Sequence, residues 1–268
     1  MRHGSLFSGI GGFDLAAQWI GWENVFQVEW DEYCQKVLAK NFPNVKRYGD
    51  IKEFNGSEYR GAVDILSGGF PCQPFSVAGK RKGKEDDRYL WPEYLRVIRE
   101  IKPAYVVGEN VLGIINMELD NIITDLESEG YVTEQFIIPA IGLEARHKRY
   151  RLWIIAYAKS IWPRRLQNKS QEEGTQDSTK LFRELCRNIS DSDSERGCSR
   201  DSTGQYANNA WELSASKRFR CWDIEPSVGR VANGIPRRVD RLKGLGNAIV
   251  PQVAYEIFKV IEQFNNSI

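Results

Sequence analysis

The stretch Gly68-Gly69-Phe70-Pro71-Cys72-Gln73-Pro74-Phe75-Ser76 constrains this chain more than any other. It follows Val63-Asp64-Ile65-Leu66, a short apolar run that reads as a buried parallel strand. Two glycines free the backbone, and two prolines stiffen the turn around a single cysteine. A thiol at the exit of a parallel strand lies where open α/β sheets place their ligands. Ionised, it is the best side-chain nucleophile near neutral pH. A free cysteine is usually a small buried hydrophobe. The flanking glycines and prolines argue instead for a shaped, exposed loop.

The N-terminal part repeats the pattern of strand, polar tip and helix. Ser5-Leu6-Phe7 reads as a strand entering Ser8-Gly9-Ile10-Gly11-Gly12-Phe13, with a helix through Leu15, Ala16, Ala17 and Ile20. That geometry lets backbone amides approach a nucleotide-like ligand. A dinucleotide fingerprint would want a further glycine at Asp14, which weakens a pyrophosphate reading. A tight strand–helix connection with no ligand fits the glycines equally well.

A second strand, Asn24 to Val28, ends in Glu29-Trp30-Asp31. An acid at this tip, about 20 residues after the glycine turn, suits a ribose diol. Trp30 offers a flat face to an adenine ring. Asp31 caps the next helix, which carries Tyr33, Val37, Leu38 and Phe42. A third strand near Lys46 to Tyr48 runs into Gly49-Asp50-Ile51, where Asp50 is placed to accept from an exocyclic amine or to cap a turn.

After Cys72, Val77 to Arg88 reads as a mobile, basic loop over the site. A helix follows with Leu90, Tyr94, Val97, Ile98 and Ile101 on one stripe. Strand Ala104 to Val107 leads to Gly108-Glu109-Asn110-Val111, so Glu109 and Cys72 share one crevice if their strands are neighbours. A carboxyl in a partly dry site stays protonated and donates. A helix carries Ile115, Leu119, Ile122, Ile123 and Leu126. Val132 to Pro139 reads as a strand, and the basic run Arg146 to Arg151 enters a strong strand, Leu152 to Ala156. The run suits a phosphate or base-edge contact. From Lys159 to Ala210 the texture turns polar, too poor in apolar residues to fill a core alone, and reads as a loose inserted lobe. Gly234 to Arg241 reads as a basic loop, and Leu245 to Pro251 opens a last helix through Val253, Ile257 and Val260.

Composition bounds the chemistry. The 268 residues are 41% hydrophobic, enough for one large α/β domain with a small lobe. The net charge of +1 gives no hint of a polyanion partner by itself, but the basic residues cluster in loops that could grip one locally. Five cysteines form no Cys-x-x-Cys pair and only two histidines occur, which argues against a metal site. The odd cysteine count and the lack of a signal peptide point to a reducing cytoplasm. No apolar run is long enough to span a bilayer.

Taken together these residues resemble the cytosine-5 DNA methyltransferase family over roughly residues 4 to 156 and 229 to 262, in the family's own motif order. Phe7-Ser8-Gly9-Ile10-Gly11-Gly12 looks like its S-adenosylmethionine motif, Glu29-Trp30 its ribose and adenine contacts, and Asp50-Ile51 its adenine edge. Pro71-Cys72-Gln73 resembles the catalytic motif and Glu109-Asn110-Val111 the base-holding one. Leu90 falls where the family lines its cofactor pocket. Arg149-Tyr150-Arg151 matches Arg-x-Arg, and Gly246-Asn247-Ala248 the closing motif. Arg146-His147 stand where the family often has Pro-Gln, and Arg238 to Leu242 are what remains of an arginine-led motif.

The resemblance implies a Rossmann-like class I methyltransferase sheet with helices on both faces. It divides the chain into a catalytic and cofactor-binding domain (1–158), a small, irregular target-recognition lobe (159–228) and a return segment completing the first domain (229–268). It implies catalytic roles for Cys72, Glu109, Arg149 and Arg151. S-adenosylmethionine contacts are expected from Phe7, Gly9, Ile10, Gly11, Gly12, Glu29, Trp30, Asp50, Ile51, Pro71, Leu90, Asn247 and Ala248. DNA contacts are expected from Gln73, Ser76, Lys80, Arg81, Asn110, Arg146, Arg238 and Arg241. The implied protein is a metal-free, cytoplasmic, nucleoid-associated monomer acting on double-stranded DNA, of restriction-modification, phage or orphan type, with a cognate restriction endonuclease as the partner of the first type. Two alternatives share the motifs: methylation of cytosine in transfer RNA, and a silent nucleic-acid-binding relative. A redox dehydrogenase is disfavoured by Asp14 and by the thiol motif.

Overall fold

Along the central strands, alternate residues feed two separate apolar layers, because successive side chains of a strand point to opposite faces. The computed structural model describes residues 1–71, 89–143, 145, 148–161 and 238–266. Their elements run β1 (Arg2–Leu6), α1 (Gly12–Trp19), β2 (Glu23–Val28), α2 (Glu32–Asn41), β3 (Lys46–Tyr48), β4 (Ile65–Gly68), α3 (Trp91–Ile101), β5 (Tyr105–Asn110), α4 (Leu119–Ser128), β6 (Tyr131–Pro139), β7 (Tyr150–Ala158), α5 (Arg238–Asn247) and α6 (Pro251–Asn266). On one face Ile65, Tyr105, Val107, Trp153, Ile155 and Tyr157 pack with α1 and α6. On the other, Leu66, Val106, Leu152, Ile154 and Ala156 pack with α3 and α4.

The sheet order is β3-β2-β1-β4-β5-β7-β6. The first five strands pair in parallel. Strand β7 runs antiparallel between β5 and β6. The chain leaves β1 for β2 on one side and returns to β4 on the other, so a crevice opens at the carboxyl ends of β1 and β4. This is the expected α/β sheet with helices on both faces. Among the described residues no helix is long and apolar enough to cross a membrane.

Strand β5 continues through Asn110, beyond its expected end at Val107, because β7 gives it antiparallel partners: Glu109 faces Trp153 and Asn110 faces Leu152. The second difference lies in the return segment. Residues 238 to 241, read as loop, begin helix α5. Glycines at 244 and 246 disfavour a helix locally, but Gly244 is buried and packs against α2 and the glycine turn. A Cβ there would make ordinary van der Waals contact with Ile10 Cγ2 at 3.4 Å and Tyr33 Cε1 at 3.6 Å. Pro251 then starts α6, as its fixed φ and missing N–H suit a first helical position. Phe258 of α6 is fully buried and stacks on Trp22 with centroids 4.7 Å apart. Removing such a ring costs about 3–5 kcal/mol, so α6 is firmly anchored in the apolar layer on this face of the sheet.

A buried polar chain crosses the sheet beneath the glycine turn. Asn24 Nδ2 donates to the Asp14 carbonyl, which leaves Asn24 Oδ1 to accept from His3 Nδ1 at 2.7 Å. His3 Nε2 then accepts from the Ser67 hydroxyl at 2.7 Å. Burial pushes the His3 imidazole down to about 4, so it is neutral at pH 7. Asp14 Oδ1 accepts from Gln27 Nε2 at 3.0 Å, while its Oδ2 is buried with no partner. Burial outweighs the Gln27 donor and raises the Asp14 carboxyl to about 6.

An acid that holds its proton more tightly folded than unfolded loses stability as pH rises through that interval. Stability from Asp14 is therefore present below the ordinary value of 3.8 and lost as pH climbs to about 6. We expect Asp14→Asn, which keeps the acceptor for Gln27 and removes the charge, to raise the melting temperature at pH 8 and to raise it much less at pH 4. An equal shift at both pH values would contradict a buried, reluctantly ionised Asp14.

Candidate active site

Two strand tips and one antiparallel neighbour build the site. Strand β4 leaves the sheet through Gly68, where a Cβ would lie 3.1 Å from both the Leu6 carbonyl and Tyr94 Cε1. Phe70 is buried against Trp91 and Tyr94. Asn110, at the end of β5, donates from Nδ2 to the Phe70 carbonyl at 3.1 Å and accepts from the Val111 amide at 2.9 Å. The exit toward Pro71 is thus braced by the neighbouring strand. Cys72, Gln73, Ser76, Lys80, Arg81 and Arg146 lie outside the described residues, as do the side chains of Arg238 and Arg241 in α5.

Glu109 pairs with Trp153 across the β5–β7 ladder. Arg151 stands two residues from Trp153, hence on the same face and diagonal to Glu109, a position within reach of a long side chain. Its Nε lies 3.0 Å from Glu109 Oε1. Arg149 directly precedes β7, with φ of 35°. Glu109, Arg149, Arg151 and Trp153 line a cleft with Ile138, Ala140, Val250 and Val253. Its apolar walls remove water from the carboxyl. Burial pushes Glu109 up to about 7, against the opposing pull of Arg151 and then Arg149. Near neutral pH this carboxyl exists in both forms. Protonated, it can donate to a ring nitrogen, while the arginine beside it can donate to a carbonyl oxygen.

At the β1 and β2 tips the sequence places a second set. Phe7 and Gly9 have φ of 51° and 56°, and Gly11 has φ of 90°. A Cβ on Gly9 would meet nothing within 4 Å, so its backbone faces open space. A Cβ on Gly11 would lie 2.6 Å from Phe42 Cε2, and one on Gly12 2.8 Å from the Ile249 carbonyl oxygen. Gly9 therefore leaves room for a ligand, while the other two make room for the protein. The half-buried Ile10 packs near Gly244.

Glu29 is buried, accepting from the Gly9 amide at 2.7 Å and the Asp31 amide at 2.8 Å. Asp31 caps α2 by accepting from the Tyr33 and Cys34 amides. Trp30 is 76% exposed beside this acid. Asp50 is exposed and accepts from the Lys52 amide at 2.9 Å, forming the turn that carries buried Ile51. Half-buried Leu90 precedes α3, Asn247 ends α5 exposed, and Ala248 is half-buried. An acid, an exposed flat ring and an open glycine backbone at adjoining strand tips fit an adenosine-like ligand. Among the described residues no group of His, Cys, Asp or Glu could hold a metal ion.

Arg149 shows what sequence reading misses. Its guanidinium donates to the Gly246 carbonyl from both terminal nitrogens at 3.1 Å and to the Ala248 carbonyl at 2.6 Å. Those partners lie nearly a hundred residues away, beyond any local periodicity. Ile249 was equally unmarked, although it follows directly on the Gly246-Asn247-Ala248 motif and its position over Gly12 decides that glycine.

Residues 1–223 match the family described as C-5 cytosine-specific DNA methylase. The chain is 41% identical over 167 residues to the Type II methyltransferase M.Eco47II of Escherichia coli, covering 58% of this chain and 39% of that protein. It is 36% identical over 166 residues to M.HhaI of Haemophilus parahaemolyticus, covering 60% and 50%. The chain thus spans half or less of the length of these curated relatives. Among solved structures, a putative DNA modification methyltransferase encoded within an Escherichia coli prophage is 28% identical with a TM-score of 0.52, covering 60% of this chain and 47% of that one. A Spodoptera frugiperda DNMT2 mutant, 24% identical with a TM-score of 0.51 over 59% and 50% of the chains, shares the fold.

The Glu109–Arg151 pair makes a direct electrostatic claim. With 13C-labelled glutamate, the Glu109 carboxyl should titrate near 7. Arg151→Met removes the nearest opposing cation and should move that titration higher. A titration in the ordinary carboxylate range, or a downward move in the variant, would contradict the pair as described.

Proposed function

The chain belongs to the C-5 cytosine-specific DNA methylase family, and on that premise we propose that it transfers a methyl group from S-adenosylmethionine to carbon 5 of cytosine in double-stranded DNA. The observation that carries this reading is the buried Glu109, raised to about 7 and held 3.0 Å from Arg151, beside the braced exit toward Cys72.

Carbon 5 of cytosine is too weak a nucleophile to take a methyl group unaided. The Cys72 thiolate adds to carbon 6, forming a carbon–sulfur bond and turning carbon 5 into the nucleophilic end of an enamine. Protonated Glu109 holds ring nitrogen 3 and the exocyclic amine, stabilising the charge that develops there. Arg151 donates to the carbonyl oxygen. When bound, S-adenosylmethionine supplies an electrophilic methyl on its sulfonium. Once carbon 5 is methylated, it gives up its proton to a base, and the returning electron pair expels the Cys72 thiolate. The target base must leave the stack to reach this site, at a cost of a few kcal/mol. Gln73, Ser76, Lys80, Arg81 and Arg146 are assigned to the DNA around it, with Arg238 and Arg241 from the return segment.

Glu29 is assigned to the ribose diol, Trp30 to the adenine face, and Asp50 with Ile51 to the adenine edge. Phe7, the glycine turn from Gly9 to Gly12, Pro71, Leu90, Asn247 and Ala248 line the rest. The polar segment 159–228 is assigned to target recognition and 229–268 to completing the catalytic domain. A cytoplasmic monomer on the nucleoid, with a restriction endonuclease as partner, fits this reading. The Type II names of the relatives favour DNA as the substrate.

Expressed in a methylation-free bacterial host, the wild type should leave 5-methylcytosine at a defined sequence, and Cys72→Ser should leave none. Modification by Cys72→Ser at the wild-type level would exclude the covalent step. Transfer to tRNA but not to duplex DNA would move the substrate to RNA. Glu29→Ala removes a charge-assisted hydrogen bond worth about 1.5–3 kcal/mol, so S-adenosylmethionine should bind roughly 10- to 100-fold more weakly by calorimetry. Unchanged affinity would remove Glu29 from the cofactor site.

A further inference from the structure

Arg149 is turned toward the return segment. The Gly246 and Ala248 carbonyls lie at the end of α5, where a helix leaves acceptors without partners of its own. A guanidinium there satisfies them and complements the negative end of the helix. Arg149 adopts φ of 35°, a region that costs a non-glycine residue about 1–3 kcal/mol. Its Nε is buried with no partner. Both features indicate a side chain held where the strap needs it.

The other side of that strap rests on the cofactor-side glycines. The Ile249 carbonyl oxygen would stand 2.8 Å from a Cβ on Gly12, and Ile249 Cδ1 3.2 Å from one on Gly69. Residues 246–250 are thus gripped between one guanidinium and two turns, one after β1 and one after β4. Val250 also lines the cleft that holds Glu109 and Arg151.

We infer that Arg149 is a positioning residue that seats the 246–250 strap on the glycine turn, so that the base-holding cleft and the cofactor site are joined through its grip on two carbonyls. Resting on the reading above only for its ligand, this gives Arg149 a task distinct from contact with the base or a phosphate.

The test compares Arg149→Met, Arg149→Lys and Gly12→Ala in the full chain, by steady-state kinetics and by amide hydrogen exchange without cofactor. Arg149→Met should raise KM for S-adenosylmethionine at least about tenfold, the loss of roughly 1.4 kcal/mol, with a smaller effect on KM for DNA. Exchange should quicken at Ala248, whose amide bonds to the Leu245 carbonyl, and at Val253 and Ala254, which bond to the Val250 carbonyl. Arg149→Lys, with one cationic head for two carbonyls, should recover part of both effects. Gly12→Ala, whose Cβ would press on the Ile249 carbonyl from the other side, should quicken exchange at the same strap amides. The inference is overturned if Arg149→Met raises only KM for DNA and leaves exchange of the strap unchanged, or if exchange rises equally throughout β4 and β5. Failure of the wild type to bind S-adenosylmethionine would defeat the proposed function, and the exchange comparison would still decide the role of Arg149.

Discussion

Everything at this site depends on a carboxyl that is too dry to ionise fully and too close to a guanidinium to stay fully neutral. Glu109 owes its burial to β5 being an interior strand, flanked by β4 and β7. It owes its partner to β7 running antiparallel, which sets Arg151 diagonally across from it, 3.0 Å away. Had the last two strands continued the parallel order, that register would not exist. The reversal of β7 is therefore a functional feature as well as a topological one.

The same sheet distributes the remaining chemistry. The switch at β1 opens the crevice between the glycine turn and the β4 exit. Glu29 ties the β2 tip to the amide of Gly9, and Asn110 ties the β5 end to the carbonyl of Phe70. Each functional strand tip is thus bonded to a neighbouring turn through a side chain. The return segment adds a third brace through Arg149, and its last helix covers the face on which Phe13, Trp22 and Trp153 pack. Gly12 is small because that segment lies on it.

Much of this was legible in the residues. Short apolar runs marked the strands, the Asp31 cap marked the start of α2, and Pro251 marked α6, because each is a local effect. The polar tips at Glu29 and Glu109 were legible because an acid at the end of an apolar run is conspicuous. Long-range partners were not. The extension of β5 to Asn110 needed β7, the helical state of residues 238–247 needed Ile10 and Tyr33 against Gly244, and the target of Arg149 needed the closed fold. The buried chain from Ser67 through His3 and Asn24 to the Asp14 carbonyl was invisible for the same reason: its members are spread over four separate elements.

The most direct test of the central claim uses DNA in which 5-fluorocytosine replaces the target base. Fluorine at carbon 5 cannot leave as a proton does, so the thiolate, once added and the ring methylated, cannot be expelled. Incubated with S-adenosylmethionine, the protein should become covalently joined to that DNA, and peptide mass spectrometry should locate the adduct, methyl group included, on Cys72. Full methyl transfer to ordinary cytosine with no adduct on the fluorinated strand would contradict the account.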